Sequence, residues 1–446
     1  MKVQQFFKTD LCDYASYSTV RQIASYIDGL KNGSRKVIYT VLEQNIVNKL
    51  KVLQLSNKSA EYADYLHGSL DGVVVSLGAG YVGTNNVPLI QSYGNFGTRL
   101  APEAAAPRYI FGCAHDNLFK IFDKNDCAIL DYQTFEGARI EPKFYVPNLP
   151  MLLVNGSSGL ATGFRQDILP RNPENLKKYC QKLIEGKVTK KDSKLLTPWI
   201  KGFNGDIVQD PENPLKFLIR GKLDRTDKTK LTITEMPLGF DYNQAIKHFD
   251  KLVDNKVIMD YDDLCDTKAD KFKFIVKMSK ADLDKFTYDE LIEKLKLQVT
   301  YTEILCTLDE NLKVRTFDSV EDIVKAYLNV KLEYLKKRKL YLEEKISNDI
   351  AIAQSKYEFI KRIVQGTLVV QKKKKEVIIK ELEKIDVIVQ KDGSYDYLLS
   401  MPIYSLTKEK MDALQEQLKS LKSDLTDIKG KTPEIMFIDD LNKISF

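Results

Sequence analysis

Apolar residues return at helical spacing in two widely separated parts of the chain. Near the front, Val37, Ile38, Val41 and Leu42 follow the polar opening Asn32-Gly33-Ser34, which predicts a helix with one apolar stripe. Towards the end, Leu328, Leu332, Leu335, Leu342, Ile346 and Ala353 alternate steps of four and three, with Lys339 and Asp349 as polar breaks. Leu414, Leu418, Leu421, Leu425 and Ile428 repeat that pattern. Heptads divided by a different kind of segment predict two long helices packed antiparallel. The dividing segment, Ser394 to Thr407, is apolar and aromatic, and Pro402 limits helix within it. It fits either a knob that contacts a second copy or a small capping domain.

Between the helical ends the pattern shortens. LTITEMP (Leu231 to Pro237) and FKFIVKM (Phe272 to Met278) are β-branched or aromatic runs bounded by turn residues and predict strands. A helical stretch from about Asn175 to Glu185 interrupts them. Dense glycines in GVVVSLGAGYVG and SYGNFGTRL mark tight turns, or backbone that approaches a partner closely. The expected fold class is a multidomain α/β (α+β) chain, divided at residues 1–140, 141–315 and 316–446.

Composition narrows the class without naming a function. A length of 446 residues is long for one core. Lys and Arg number 68 against 62 for Asp and Glu, a formal charge of +6, too small an excess to establish a nucleic-acid partner. Six cysteines form no CxxC pair and have no histidine cluster beside them, which argues against a zinc site and fits a reducing compartment. The opening MKVQQFFKTD lacks the apolar core of a signal peptide, and no uncharged apolar stretch approaches bilayer length. The expectation is a soluble, intracellular protein with no membrane partner.

The string that carries chemistry is EAAAPRYIF, Glu103 to Phe111. Pro107 disfavours helix at Ala106, so Arg108 and Tyr109 are expected on an exposed turn or at the start of a new element. A phenol with a pKa of about 10 is a poor nucleophile unless its developing charge is stabilised. An adjacent arginine offers a permanent cation whose forked donors suit phosphate oxygens. Together they suit transesterification, in which the phenol attacks a phosphodiester and becomes a phosphotyrosine. Taken alone, an Arg-Tyr pair in a chain with 23 tyrosines is weak evidence.

Its surroundings change the weight. EAAAPRYIF resembles the active-site tyrosine motif of the type IIA DNA topoisomerases. Further strings resemble that family in the same order. These are Ile27 to Lys31 with Arg35-Lys36-Val37, Tyr65 with His67-Gly68, and Gly94 with Phe96 to Leu100. Asn155 to Gly163 follows, then Pro198-Trp199 with Gly202-Phe203 and Gly205, then Tyr395 to Leu399 with Met401-Pro402 and Leu406-Thr407-Lys408. Departures occur at Asn32, Ser34, Leu66 and Ser69, where the family pattern has proline, Gln or His, a first histidine and an acidic residue.

The resemblance implies a winged-helix DNA-gate domain over 1–140, a β-rich tower over 141–315, and a long antiparallel coiled coil ending in a C-gate over 316–446. It implies that Tyr109 is the nucleophile, that Arg108 assists it, and that His67 stands beside the scissile phosphate. Arg21, Lys31, Arg35, Lys36 and Thr98 fall where the family meets DNA. Leu160 falls where the family inserts an apolar wedge between base pairs, which bends a duplex. The implied partners are double-stranded DNA, a second copy of the chain, and a partner protein bearing TOPRIM and ATPase domains. No P-loop, ATP lid or TOPRIM-type carboxylate cluster stands in the sequence. Mg²⁺ ligands and the ATP site are therefore expected from that partner, with no metal ligands from this chain. The layout resembles the medium subunit of bacteriophage topoisomerases, while several strings are nearer the eukaryotic pattern.

Two rivals remain. A tyrosine recombinase also makes a phosphotyrosine, but it needs an Arg/His/Arg set that three histidines do not supply. A coiled-coil architectural DNA binder would need no nucleophile at all.

Overall fold

A computed structural model of the chain describes residues 3–371, 373–402 and 407–445. They divide into two compact units, Met1–Lys331 with Ile438–Phe446, and Leu332–Phe437.

After a short helix at Val3–Lys8, the first unit has the helices α1 (Asp10–Gln22), α2 (Asn32–Glu43), α3 (Val52–Tyr62) and α4 (Asp71–Gly78). Around them lies an antiparallel sheet of β1 (Leu50–Lys51), β2 (Ile90–Tyr93) and β3 (Phe111–Ala114), in the order β1-β3-β2. The stripe Val37, Ile38, Val41 and Leu42 is buried as expected, yet burial on α2 extends without a break from Arg35 to Leu42. That helix is central, not a surface helix with one apolar face. The turn leading into it needs Gly29, where φ is +68° and an added Cβ would lie 2.3 Å from the Leu152 amide nitrogen.

A hairpin of β4 (Ser157–Ala161) and β5 (Phe164–Ile168) follows, then α5 (Pro173–Ile184), whose first turn is capped by the Asn172 side chain. The middle of the unit holds β6 (Asp206–Gln209), β7 (Lys216–Arg220), β8 (Lys222–Arg225), β9 (Lys230–Glu235), α6 (Tyr242–Asp254), β10 (Asp260–Asp263), β11 (Phe274–Lys277) and β12 (Gln298–Thr302). They form two antiparallel sheets, ordered β12-β7-β6 and β8-β9-β11-β10. Ile233, Phe249, Leu252, Phe274 and Val276 make the core between α6 and the four-stranded sheet. The strands expected in LTITEMP and FKFIVKM are β9 and β11, and the expected interrupting helix is α5.

Buried polar side chains cross the expected division at residue 140. Lys36 Nζ meets Glu141 at 2.8 Å, and the Arg99 guanidinium donates to the carbonyls of Met236, Pro237 and Phe240. Helix α7 (Val320–Val364) begins inside the first unit, with Ile323, Val324 and Tyr327 fully buried. Tyr327 donates to Pro147 O at 2.6 Å and Lys331 to Asn148 Oδ1 at 2.7 Å, so the start of α7 is part of the first compact unit. The chain's last residues rejoin this unit, where Lys177 Nζ donates to Ile444 O at 3.1 Å.

In the second unit the rest of α7 and α8 (Lys408–Gly430) run antiparallel, since Lys339 near the start of one donates to Lys429 O and Lys431 O at the end of the other. The polar break at Lys339 is thus a cation on the unsatisfied carbonyls of a helix C-terminus. Leu335 and Leu414 are buried, and Leu418, Leu421, Leu425 and Ile428 are half-buried, as the heptads require. Phe359, Leu368, Ile378, Leu382, Tyr395 and Leu398 form a small separate core. Two aromatic or apolar residues of the expected knob therefore pack inward. Leu406, part of the same motif, lies outside the described residues.

Candidate nucleic-acid interface

Pro107, Arg108 and Tyr109 form a tight turn closed by the Tyr109 amide, which donates to Ala106 O at 2.9 Å. Proline at its second position presets the required φ. The turn is fastened to the N-terminus of α3. Val52 N donates to Ile110 O at 2.9 Å and Leu53 N to Pro107 O at 3.2 Å. Two of the helix's unsatisfied amides are thereby consumed by the carbonyls that bracket Arg108-Tyr109. Ile110 is buried and anchors the turn from below, so the side chains before it face outward. Tyr109 is 66% exposed, and the Arg108 guanidinium carbon lies 4.9 Å from its ring centroid. A flexible pair has become an exposed phenol with a cation held over it.

The same helix positions His67. Tyr65 N donates to Ala60 O at 2.8 Å, and the Leu70 amide donates to Ser56 Oγ at 3.0 Å, so the loop between them is strapped along α3. The exposed His67 ring lies between two tyrosines, with centroids 5.3 Å from Tyr17 and 6.1 Å from Tyr65. Arg21 joins the group by donating from Nη2 to the Tyr65 hydroxyl at 3.3 Å. Among the described residues no hydrogen bond or ring contact links this cluster to Tyr109 within the chain.

The hairpin is the third feature. Leu160 is 76% exposed, while Gly159 beside it packs so closely on α1 that an added Cβ would lie 2.1 Å from Gln22 O. Lys31 Nζ donates to Ser158 O at 2.6 Å, and partial burial lowers the pKa of its ammonium. Lys31 and Leu160 therefore belong to one local group, with α1 as the support common to the hairpin and the His67 cluster.

Three expected DNA contacts have other work. Arg35 is 1% exposed and makes a bidentate pair with Asp28, at 2.8 and 3.1 Å, while also donating to Leu30 O. Lys36 is buried between Glu141 and Ala63 O. We correct both from phosphate contacts to scaffold residues, because neither cation reaches the surface. The Thr98 hydroxyl accepts from Ala101 N at 3.0 Å and closes its own turn. Sequence reasoning passed over Tyr17 and Arg165. Only their position in space, against His67 and Leu160, singles them out.

The family model for the DNA gyrase/topoisomerase IV A-subunit matches residues 21–443. The chain belongs to that family. Among the relatives of this family member, the mitochondrial DNA topoisomerase 2 of Dictyostelium discoideum is 32% identical over 98% of the chain, and DNA topoisomerase 2 of Plasmodium falciparum is 33% identical over 98%. The chain spans about a third of the length of these curated relatives, 34% in each case. The fold is similar to the solved DNA-binding, cleavage and re-ligation domain of Plasmodium falciparum topoisomerase II. The TM-score is 0.89 at 32% identity, over 98% of this chain and 63% of that one.

Family membership implies magnesium and ATP. Among the described residues no group of three His, Cys, Asp or Glu side chains is placed to hold a metal ion. No helix of the described residues is long and apolar enough to cross a membrane.

Proposed function

We propose that the chain is the DNA cleavage and religation part of a type IIA topoisomerase. It works inside the cell as a homodimer on duplex DNA, with a TOPRIM- and ATPase-bearing partner. The observation that carries this reading is the Arg108-Tyr109 turn, an exposed phenol and a guanidinium on a support fixed by two helix amides. In this reading α2, α3 and the three-stranded sheet are the winged helix, the two middle sheets are the tower, and α7 with α8 is the coiled coil behind a C-gate.

The Tyr109 oxygen attacks a backbone phosphorus and loses its proton as the new P–O bond forms. The bond from phosphorus to the 3′ oxygen breaks, and that oxygen takes up a proton as the leaving alcohol. Arg108 neutralises charge gathering on the non-bridging oxygens. The phosphotyrosine conserves the bond, so the 3′ hydroxyl reverses the step without an energy source. Two copies cut opposite strands, a second duplex passes, and the ends rejoin. His67 donates to the phosphate from its seat between Tyr17 and Tyr65, and Arg21, Lys31 and Leu160 hold and bend the duplex. Magnesium ligands and ATP hydrolysis belong to the partner, where ATP orders the gates and leaves the cutting chemistry to the tyrosine.

The test is a plasmid cleavage assay with Mg²⁺, the chain and its TOPRIM-bearing partner, quenched by denaturant. Linear DNA with protein on its 5′ ends supports the reading. Intact circles from a complex shown to be assembled on DNA contradict it.

A further inference from the structure

Leu160 and Arg165 are direct cross-strand partners in the β4–β5 hairpin. Partners across a two-stranded ribbon present their side chains on the same face. An apolar side chain 76% exposed therefore stands beside a guanidinium 65% exposed. The next pair on that face is Ser158 with Asp167. Asp167 is nearly buried and accepts from Ser158 Oγ at 2.7 Å, from the Tyr301 hydroxyl at 3.4 Å, and from Arg165 Nε. Its backbone is held in both directions by Ile304, at 3.1 and 2.7 Å. Arg165 is thus docked on a fixed carboxylate through Nε. Among the described residues nothing accepts from its two Nη nitrogens.

The opposite face explains why this presentation is stable. Gln166 is fully buried and bonds to Ala24 and Cys306 backbone, while Gly159 lies against Gln22 O. A slip of one residue would turn Gln166 outward and Leu160 inward, so the register that exposes Leu160 also exposes Arg165. An exposed planar fork whose terminal nitrogens have no acceptor among the described residues suits one ligand chemistry above others, the two oxygens of a phosphate.

We propose that Arg165 is a backbone clamp for the base-pair step that Leu160 opens. It binds the phosphate flanking that step and keeps the duplex bent. This rests on the reading of Leu160 as a wedge. Inserting a side chain between base pairs costs stacking energy, and a contact made only by bent DNA offsets that cost. The clamp and the wedge share one rigid ribbon, so a phosphate that meets Arg165 has the adjoining step over Leu160.

The test uses the full chain with its TOPRIM-bearing partner and a duplex labelled at both ends, so that energy transfer reports bending. Affinity is measured in parallel against salt. Leu160→Ala is expected to abolish the bend. Arg165→Gln should lower the bent fraction several-fold and reduce the salt slope by about 0.9, the share of one phosphate. Arg165→Lys should recover the slope and only part of the bend. If Leu160→Ala removes the bend while Arg165→Gln leaves bend and slope unchanged, the clamp is overturned and Arg165 is only a hairpin ion pair. If Leu160→Ala leaves the bend intact, the wedge reading fails first and the clamp fails with it.

Discussion

The guanidinium of Arg108 lies over the ring of Tyr109, 4.9 Å from carbon to centroid, on a turn that two amides of α3 hold in place. The cation is therefore beside the phenol before any DNA arrives, and no reorganisation is needed as charge develops. Arg108→Ala should lower the rate of covalent-adduct formation by roughly 10²–10³, while DNA affinity falls much less. Arg108→Lys keeps the charge, loses the fork, and should lie between. An affinity loss as large as the rate loss would make Arg108 a simple binding residue.

Arg35 and Arg21 separate scaffold from interface. Arg35→Ala leaves the buried Asp28 carboxylate without its cation, and should destabilise the chain by about 3–5 kcal/mol in denaturant unfolding. Arg21→Ala, on the rim of the His67 cluster, should leave the unfolding midpoint almost unchanged. Its effect should appear in DNA binding, as a salt slope lower by about 0.9. Equal stability losses in the two variants would contradict this division.

Much of this was legible in the sequence, and the misses have one cause. The heptads of α7 and α8 and the strands β9 and β11 follow from local periodicity, which burial then satisfies. The turn at Pro107 follows from a local steric rule. Arg35 and Lys36 fall where the resembled family meets DNA, and no local pattern marks them as buried. Their partners Asp28 and Glu141 are supplied by tertiary structure, and in the case of Glu141 from 105 residues away. The contacts of Pro147 and Asn148 with α7 are likewise made only in three dimensions. Arg165 carried no motif, and the hairpin register alone places it beside Leu160.

Gly159 is required by a backbone contact. Gly159→Ala drives a Cβ towards Gln22 O and must part β4 from α1. The expected loss is about 1–3 kcal/mol of stability, with reduced DNA bending because the hairpin moves. A wild-type unfolding midpoint in this variant would contradict the close approach.

Two histidines set a pH dependence. Burial lowers the pKa of His115 and of His248 below the ordinary value of 6.5. His115 Nδ1 accepts from Asn117 N at 3.1 Å, a bond that protonation there would remove. Both groups bind protons more readily when unfolded, so their contribution to stability is present above pH 6.5 and is lost as pH falls towards their folded pKa values. The unfolding midpoint should decline as pH falls below 6.5 towards the folded pKa values, less steeply in His115→Gln. An identical decline in that variant would assign the effect elsewhere.

The central claim is that Tyr109 itself becomes joined to DNA. The direct measurement is to trap the denatured complex, digest protein and DNA, and identify by mass the peptide that carries a nucleotide. The expected result is a 5′-phosphonucleotide on the peptide containing Tyr109, and no adduct from Tyr109→Phe although that variant still binds DNA. A nucleotide on any other residue, or an adduct that persists in Tyr109→Phe, would contradict the account.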